Sequence, residues 1–214
     1  MPVDSFSVLA AAPDAPLDEL ALAMAAEMRP IDADRALERL DALAGRIDPV
    51  AIGAAAELHA LVSVLAHEDG FQGDRAAYDD PRNSMLDLVL ERRRGLPILL
   101  SVVYVEVARR AGIAMAGFGL TGHFVCGHVG GDEVLLIDPF DGGRPIAPAY
   151  GALRPWTPHE IATRMLNNLV GSYERRGDLT RAIRAADLRM LLPADEEDSV
   201  RHEIQARALH ARLN

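Results

Sequence analysis

The stretch 95–112, GLPILLSVVYVEVARRAG, constrains the fold more than any other part of the chain. It is apolar almost throughout, and Val102, Val103, Val105 and Val107 favour strands, so periodicity alone leaves it ambiguous. Its length and its ends decide for a helix. Pro97 suits the first helical position, where its missing N–H is not needed; Arg109 and Arg110 oppose the C-terminal dipole, and Gly112 can take the left-handed stop. Such a helix is buried on nearly every side and presents its first turn to whatever site exists.

The chain has 214 residues, half of them apolar, enough for one compact core with a helical appendage. A formal net charge of −10 argues against nucleic acid or an anionic membrane as the main partner, because both need clustered cations. Every basic residue among Lys and Arg is an arginine. The single cysteine, Cys126, excludes an internal disulfide and fits a reducing compartment. Asp4 stands where a signal peptide needs positive charge, Asp14, Asp18 and Glu19 interrupt the alanine-rich start, and no stretch is apolar enough to span a bilayer. The expected location is therefore the cytoplasm, with no cofactor.

Taken in order, residues 1–15 read as a loose start. Helices are expected from Pro16 to Pro30, over 33–46 and over 50–69, forming a helical N-terminal subdomain at 16–69. A core follows at 70–157. It opens with the loop GFQGDRAAYDDPRN at 70–83, and Ser84 with Asp87 gives a capping-box pattern for a short helix ending in Arg92, Arg93 and Arg94. That basic run is expected to complement the helix C-terminus. After the central helix, 114–120 reads as a strand, and 123–129 with 133–138 flank Gly130-Gly131, a hairpin signal. The segment 139–157 reads as a long loop. Helices over 158–176, 178–192 and 196–213 make a C-terminal tail at 158–214, in which Gly177-Asp178 followed by Ala182, Ile183, Ala186 and Pro193 has the spacing of one tetratricopeptide-like hairpin. An exposed helical stack of this kind would favour a homodimer through the C-terminal helices.

If Gly130 and Gly131 form a two-residue turn, counting outward sets His123 directly opposite Asp138. The carboxylate would then fix the imidazole tautomer and leave the other ring nitrogen for a substrate or nucleophile. A bland alternative is a histidine merely satisfied by a nearby acid. The position best suited to a thiol, the first turn of the central helix, holds Pro97 and Ile98. Cys126 lies three residues from His123 along an extended strand, so alternation points it to the opposite face, as a small buried hydrophobe. Ser101 is expected to bond the carbonyl four residues back. Cys126 with His128, and His59, His67 and Glu68, lack partners at metal-ligand spacing, and no metal is expected.

Several separated motifs carry a family resemblance: YDDPRNSMLDLVLERRRGLPILLSVVYVEVARRAGI, then GHF, IDPF, and Arg164-Met165-Leu166-Asn167-Asn168-Leu169. In these the chain resembles the SirB1 family, whose central domain is similar to transglutaminases and papain-like cysteine proteases. The resemblance implies an α+β fold in which a cysteine opens the central helix, a histidine opens the next strand and an aspartate ends the one after. His123 and Asp138 match the histidine and the aspartate, while Pro97 occupies the cysteine position, as is common in SirB1-like proteins. The chain departs from the family pattern at Thr121 and at Cys126-Gly127. Two functions follow as expectations. One is a non-catalytic protein- or peptide-binding, regulatory protein in which Tyr78, Asp80, Arg82 and Asn83 contribute binding contacts; the other is a hydrolase or transferase of non-thiol mechanism with His123 as general base. For the loop itself, helix capping and tying of neighbouring segments compete with ligand contact.

Overall fold

A computed structural model describes residues 3–47, 53–147 and 153–213. The architecture is α+β. Helices α1 (Phe6–Ala11), α2 (Leu17–Met28), α3 (Ala33–Ala44) and α4 (Ala54–Val62) come first, and α4 runs on into a wider π-type turn at Ser63–Glu68. The two-residue strand β1 (Gln72–Gly73) and a 3₁₀ turn at Pro81–Ser84 lead to α5 (Leu86–Arg92), strand β2 (Arg94–Gly95) and the central helix α6 (Pro97–Arg110). Strands β3 (Met115–Leu120), β4 (His123–His128), β5 (Leu135–Asp138) and β6 (Arg144–Ile146) form an antiparallel sheet in that order. Helices α7 (Pro158–Arg175), α8 (Leu179–Arg189) and α9 (Glu196–Ala211) complete the described chain.

Helix α6 is as enclosed as its composition requires. From Pro97 to Ala108 every residue except Val105 is buried, with α2, α3, α5 and α7 on one side and β3 and β4 on the other. Its ends follow the sequence signals. Pro97 is the first helical residue, and Gly112 takes φ +76° while its N–H returns to the Arg109 carbonyl. Ser101 Oγ donates to the Pro97 carbonyl at 2.9 Å, which spares the core an unpaired hydroxyl.

The one acid of α6, Glu106, is 2% exposed and faces Asp18 of α2, also 2% exposed. Two buried carboxylates side by side repel, and burial together with Asp18 pushes the Glu106 carboxyl up. Arg109 and Arg110 hold the pair together. Glu106 Oε2 accepts from Arg109 Nε at 2.9 Å and from Arg110 Nη1 at 2.8 Å, Arg110 Nη2 reaches Asp18, and Arg110 Nε reaches Asp41 of α3 at 2.7 Å. One arginine thus ties three helices.

Several local expectations need correction. The start is not loose: α1 buries Phe6, Leu9 and Ala10 against α2, a contact that an alanine-rich segment without clear period does not announce. The helix expected from 50 is described from Ala54, and Val50 and Ile52 lie outside the described residues. Ser84 does not cap α5. Asp80 instead caps the 3₁₀ turn through the Arg82 N–H, Met85 becomes the residue before α5, and Ser84 Oγ is buried without a partner. The expected loop at 139–157 contains β6, which pairs with β5.

The hairpin register also differs. Cys126 faces Ile137, Gly127 faces Leu136 and His128 faces Leu135, two residues from a tight-turn pairing. Val129 N–H stays bonded to the Ala114 carbonyl at 2.8 Å, and Gly130 N–H donates to His128 Nδ1 at 3.2 Å. Neither Gly130 nor Gly131 adopts the positive φ that a two-residue type I′ turn requires. Because side chains alternate with period two, a two-residue slip preserves faces. His123 and Asp138 become diagonal neighbours instead of opposed ones. Phe124, Cys126 and Ile137 join the main core with α6, while Phe118, Val125 and Leu136 form a second cluster on the other face.

Helix α7 starts with a capping box: Glu160 N–H donates to Thr157 Oγ1 at 3.2 Å and Thr157 N–H donates to Glu160 Oε2 at 2.8 Å. Among the described residues no helix is long and apolar enough to cross a membrane.

Two measurements check this account. Leu99 has no exposed surface, so Leu99→Ala should lower the unfolding free energy by about 2–5 kcal/mol in urea titration, and a loss under about 1 kcal/mol would contradict the enclosure of α6. Arg154, with the Thr157 cap, holds the Glu160 carboxyl down to about 2. A carboxyl lowered by folding stabilises the fold above its ordinary range, and that contribution is lost as pH falls toward about 2. Glu160→Gln should therefore flatten the acid limb of stability against pH.

Candidate functional site

His123 opens β4, the strand that crosses α6, and Asp138 ends β5 beside it. His123 Nε2 lies 2.9 Å from Asp138 Oδ2. The other carboxylate oxygen, Oδ1, accepts the Phe140 N–H at 2.9 Å and so caps the 3₁₀ turn Pro139–Asp141. One oxygen is fixed by the backbone and the second is left to orient the imidazole. Nδ1, the ring nitrogen not engaged by Asp138, makes no hydrogen bond among the described residues. The His123 side chain is 31% exposed, so the pair is not sealed in the core.

Aromatic groups line both faces of the sheet at this end, and those on the first side meet the pair. Phe140 stands edge-on to His123 with centroids 6.3 Å apart, and Tyr78 meets Phe140 at 5.9 Å. Arg75 lies over the Phe140 ring at 5.0 Å. A Cβ at Gly73 would come within 2.4 Å of that ring, so β1 can lie under it only as glycine. On the second side Phe124, the residue after His123, meets Trp156 at 5.4 Å, and the Arg164 guanidinium lies over both rings, 5.9 Å from Phe124 and 5.7 Å from Trp156. Trp156 N–H donates to the Gly117 carbonyl at 2.9 Å, and its indole rests on Gly119, where a Cβ would be 2.1 Å away.

The thiol chemistry of a cysteine at the head of α6 is absent. Pro97 is buried at that position and offers neither nucleophile nor N–H. Cys126 has no exposed surface, belongs to the core against α6, and burial followed by the Asp138 charge pushes its thiol well up. Tyr104, buried in α6, is likewise pushed up by burial, and its hydroxyl has no partner among the described residues.

The loop before α5 divides into buried and open groups. Asn83 has no exposed surface; its Nδ2 donates to the Ala77 carbonyl at 2.7 Å and its Oδ1 accepts from Arg92 at 2.9 Å. Arg92 continues to Asp74 at 3.0 Å, and Asp74 accepts the Ala77 N–H at 2.9 Å. Asp80 is 6% exposed and takes Arg82 Nε at 2.8 Å, a contact that holds its carboxyl below the usual range. Asn83 and Asp80 thus use their polar atoms within the loop and its neighbours, the tying role that the sequence offered beside ligand contact. Tyr78 at 48% exposure, and the outward-facing Arg82, are open. The basic run also splits, with Arg92 knitting the loop and Arg93 reaching Asp69 at 3.4 Å.

His128 Nε2 is 2.7 Å from Glu57 Oε2, and His59 and His67 are exposed. Among the described residues no group of three or more His, Cys, Asp or Glu could hold a metal ion. Sequence reasoning missed Phe140, Trp156 and the placement of Arg164. Arg164 opens a motif visible in the sequence, but its aromatic neighbours are brought to it only by the fold.

Residues 32–150, more than half of the chain, match the transglutaminase-like superfamily. The chain belongs to that superfamily. It is similar to the UPF0162 protein of Xylella fastidiosa strain 9a5c, 36% identical over 152 residues that cover 62% of this chain and 54% of the relative. A UPF0162 protein of Pseudomonas aeruginosa is 32% identical over 196 residues, 79% of this chain and 69% of that protein. F-box only protein 21 of Homo sapiens is 33% identical over 84 residues, 39% of this chain and 13% of that protein. The chain spans about half the length of the Xylella relatives. None of these matches carries the SirB1 name, and no solved structure matches the chain significantly.

The seat of Trp156 is open to test, because it is the only tryptophan. Gly119→Ala should shift its emission to the red and weaken near-ultraviolet dichroism while far-ultraviolet dichroism holds. An unchanged emission spectrum would mean that the indole does not rest on Gly119.

Proposed function

We propose that this protein is a non-catalytic, peptide-binding member of the transglutaminase-like superfamily, using the surface around His123 to hold a segment of a partner protein in a regulatory role. The observation that carries the reading is Pro97 buried at the head of α6, with the chain's one thiol enclosed in the core. A thioester route has no nucleophile, yet the aromatic walls beside His123 remain, and Tyr78 offers exposed aromatic area of the kind that anchors peptides. The sequence motifs support placement with SirB1-like proteins, and the short breaks at Gly177 and Pro193 support a tetratricopeptide-like reading of α7–α9.

A second reading, a hydrolase of non-thiol mechanism, is favoured by one observation: the His123–Asp138 contact is intact with Nδ1 unengaged. Here His123 would take a proton from water or a substrate hydroxyl. The two readings part on one comparison. Wild type and His123→Ala should hydrolyse ester, amide and isopeptide substrates equally, at background rate, and wild type should enrich specific sequences from a displayed peptide library. A general base contributes about 10²–10⁴-fold, so turnover that falls by that factor in His123→Ala would replace the first reading with the second. Failure to enrich any sequence would remove peptide binding.

A further inference from the structure

The guanidinium of Arg164 is held differently from those of Arg92 and Arg110. Arg92 ends on Asn83 and Asp74, and Arg110 ends on Asp18, Asp41 and Glu106. Those groups satisfy the in-plane N–H bonds. Arg164 has only ring faces, those of Phe124 and Trp156, and makes no hydrogen bond or ion pair among the described residues. A cation–π contact occupies the face of a guanidinium and leaves the donors on its edge unused. Its nitrogens are not sealed from solvent. Burial against the rings lowers its pKa, and the Tyr78 hydroxyl opposes that shift. In a chain of net charge −10, a cation kept from every acid needs a reason.

Its position suggests one. Arg164 stacks on the α6-facing side of β4, the face opposite the His123 side chain, and the link to the imidazole runs around the end of the sheet through Tyr78 and Phe140. The planar fork, fixed by stacking, matches a carboxylate held by two parallel N–H bonds. A phosphate would call for further cations or clustered backbone N–H groups.

We propose that Arg164, stacked on Trp156 and Phe124 and flanked by Tyr78, binds a carboxylate of the peptide held beside His123. The assignment rests on the peptide-binding reading. The carboxylate belongs either to an acidic side chain or to a chain terminus.

Trp156 reports on this edge directly, being the sole tryptophan. Its fluorescence can be followed while adding acetyl-Ala-Ala-Glu-amide, the matching Gln peptide, acetyl-Ala-Ala-Ala as free acid and as amide, and inorganic phosphate. A saturable change is expected with the Glu peptide if a side chain is read, or with the free acid if a terminus is read. The Gln and Ala amides should give none. Arg164→Met, which keeps bulk without charge, should weaken the response by about tenfold or more, since a charge-assisted pair is lost; Arg164→Lys should fall between. Far-ultraviolet dichroism checks that each variant folds, and the Glu–Gln and acid–amide comparisons on wild type stand if Arg164→Met does not. Equal responses to acid and amide, a response to phosphate alone, no saturation at millimolar peptide, or an unchanged response in Arg164→Met would each overturn the assignment. Library-selected peptides whose binding survives Arg164→Met would overturn it while leaving peptide binding in place.

Discussion

The burial of α6 on every side dictates how the remaining elements are spent. Unpaired polar groups are costly on a helix with no solvent face, so Ser101 turns back on the Pro97 carbonyl and Glu106 is admitted only with Arg109, Arg110 and the acid of α2, while the Tyr104 hydroxyl is left without a partner among the described residues. The same requirement bears on its first turn. An N–H buried at that position would need an acceptor, and proline removes the need along with any nucleophile. Scaffold and chemistry thus meet in one residue: what lets α6 begin inside the core is what takes thioester formation away.

Around His123 the geometry is set by a carboxylate with two employers. Asp138 caps the turn after β5 with one oxygen and holds the imidazole with the other, so the histidine is positioned by a bond that the fold already needs. Rings then define the borders. Phe140 can stand where it does because β1 offers Gly73 beneath it, and Trp156 because β3 offers Gly119. Small residues in the strands are the counterpart of large ones in the loops, and the result is one aromatic edge beside a half-open imidazole and a second on the opposite face of the sheet.

Much of this was legible in the sequence because it is local. Pro97, Arg109, Arg110 and Gly112 mark both ends of α6, and alternation alone assigned Cys126 to the core face, since neither depends on distant residues. The hairpin was harder: Gly130-Gly131 resembles a turn, but Val129 remains bonded to Ala114, and the pairing slips by two residues. The pairing partner of His123 survived that slip only because it was even. Helix α1 lacked a period to read, and β6, three residues long with Pro145 at its centre, lacked a strand signal. Arg164 was noticed as part of a motif, yet its stacking on Trp156 and Phe124 joins three separate segments, which no window of sequence contains. Asp80 and Asn83 are polar groups in a loop whose visible bonds hold the loop itself.

The arginine-only ion pairs around α6 give the fold a lopsided chemistry. A guanidinium keeps its proton far into the alkaline range, where an ammonium would begin to lose it. Base therefore cannot uncouple Arg110 from Asp18, Asp41 and Glu106, whereas acid reaches the Glu106 carboxyl, which burial and Asp18 push up. The joint between α2, α3 and α6 opens from one direction only.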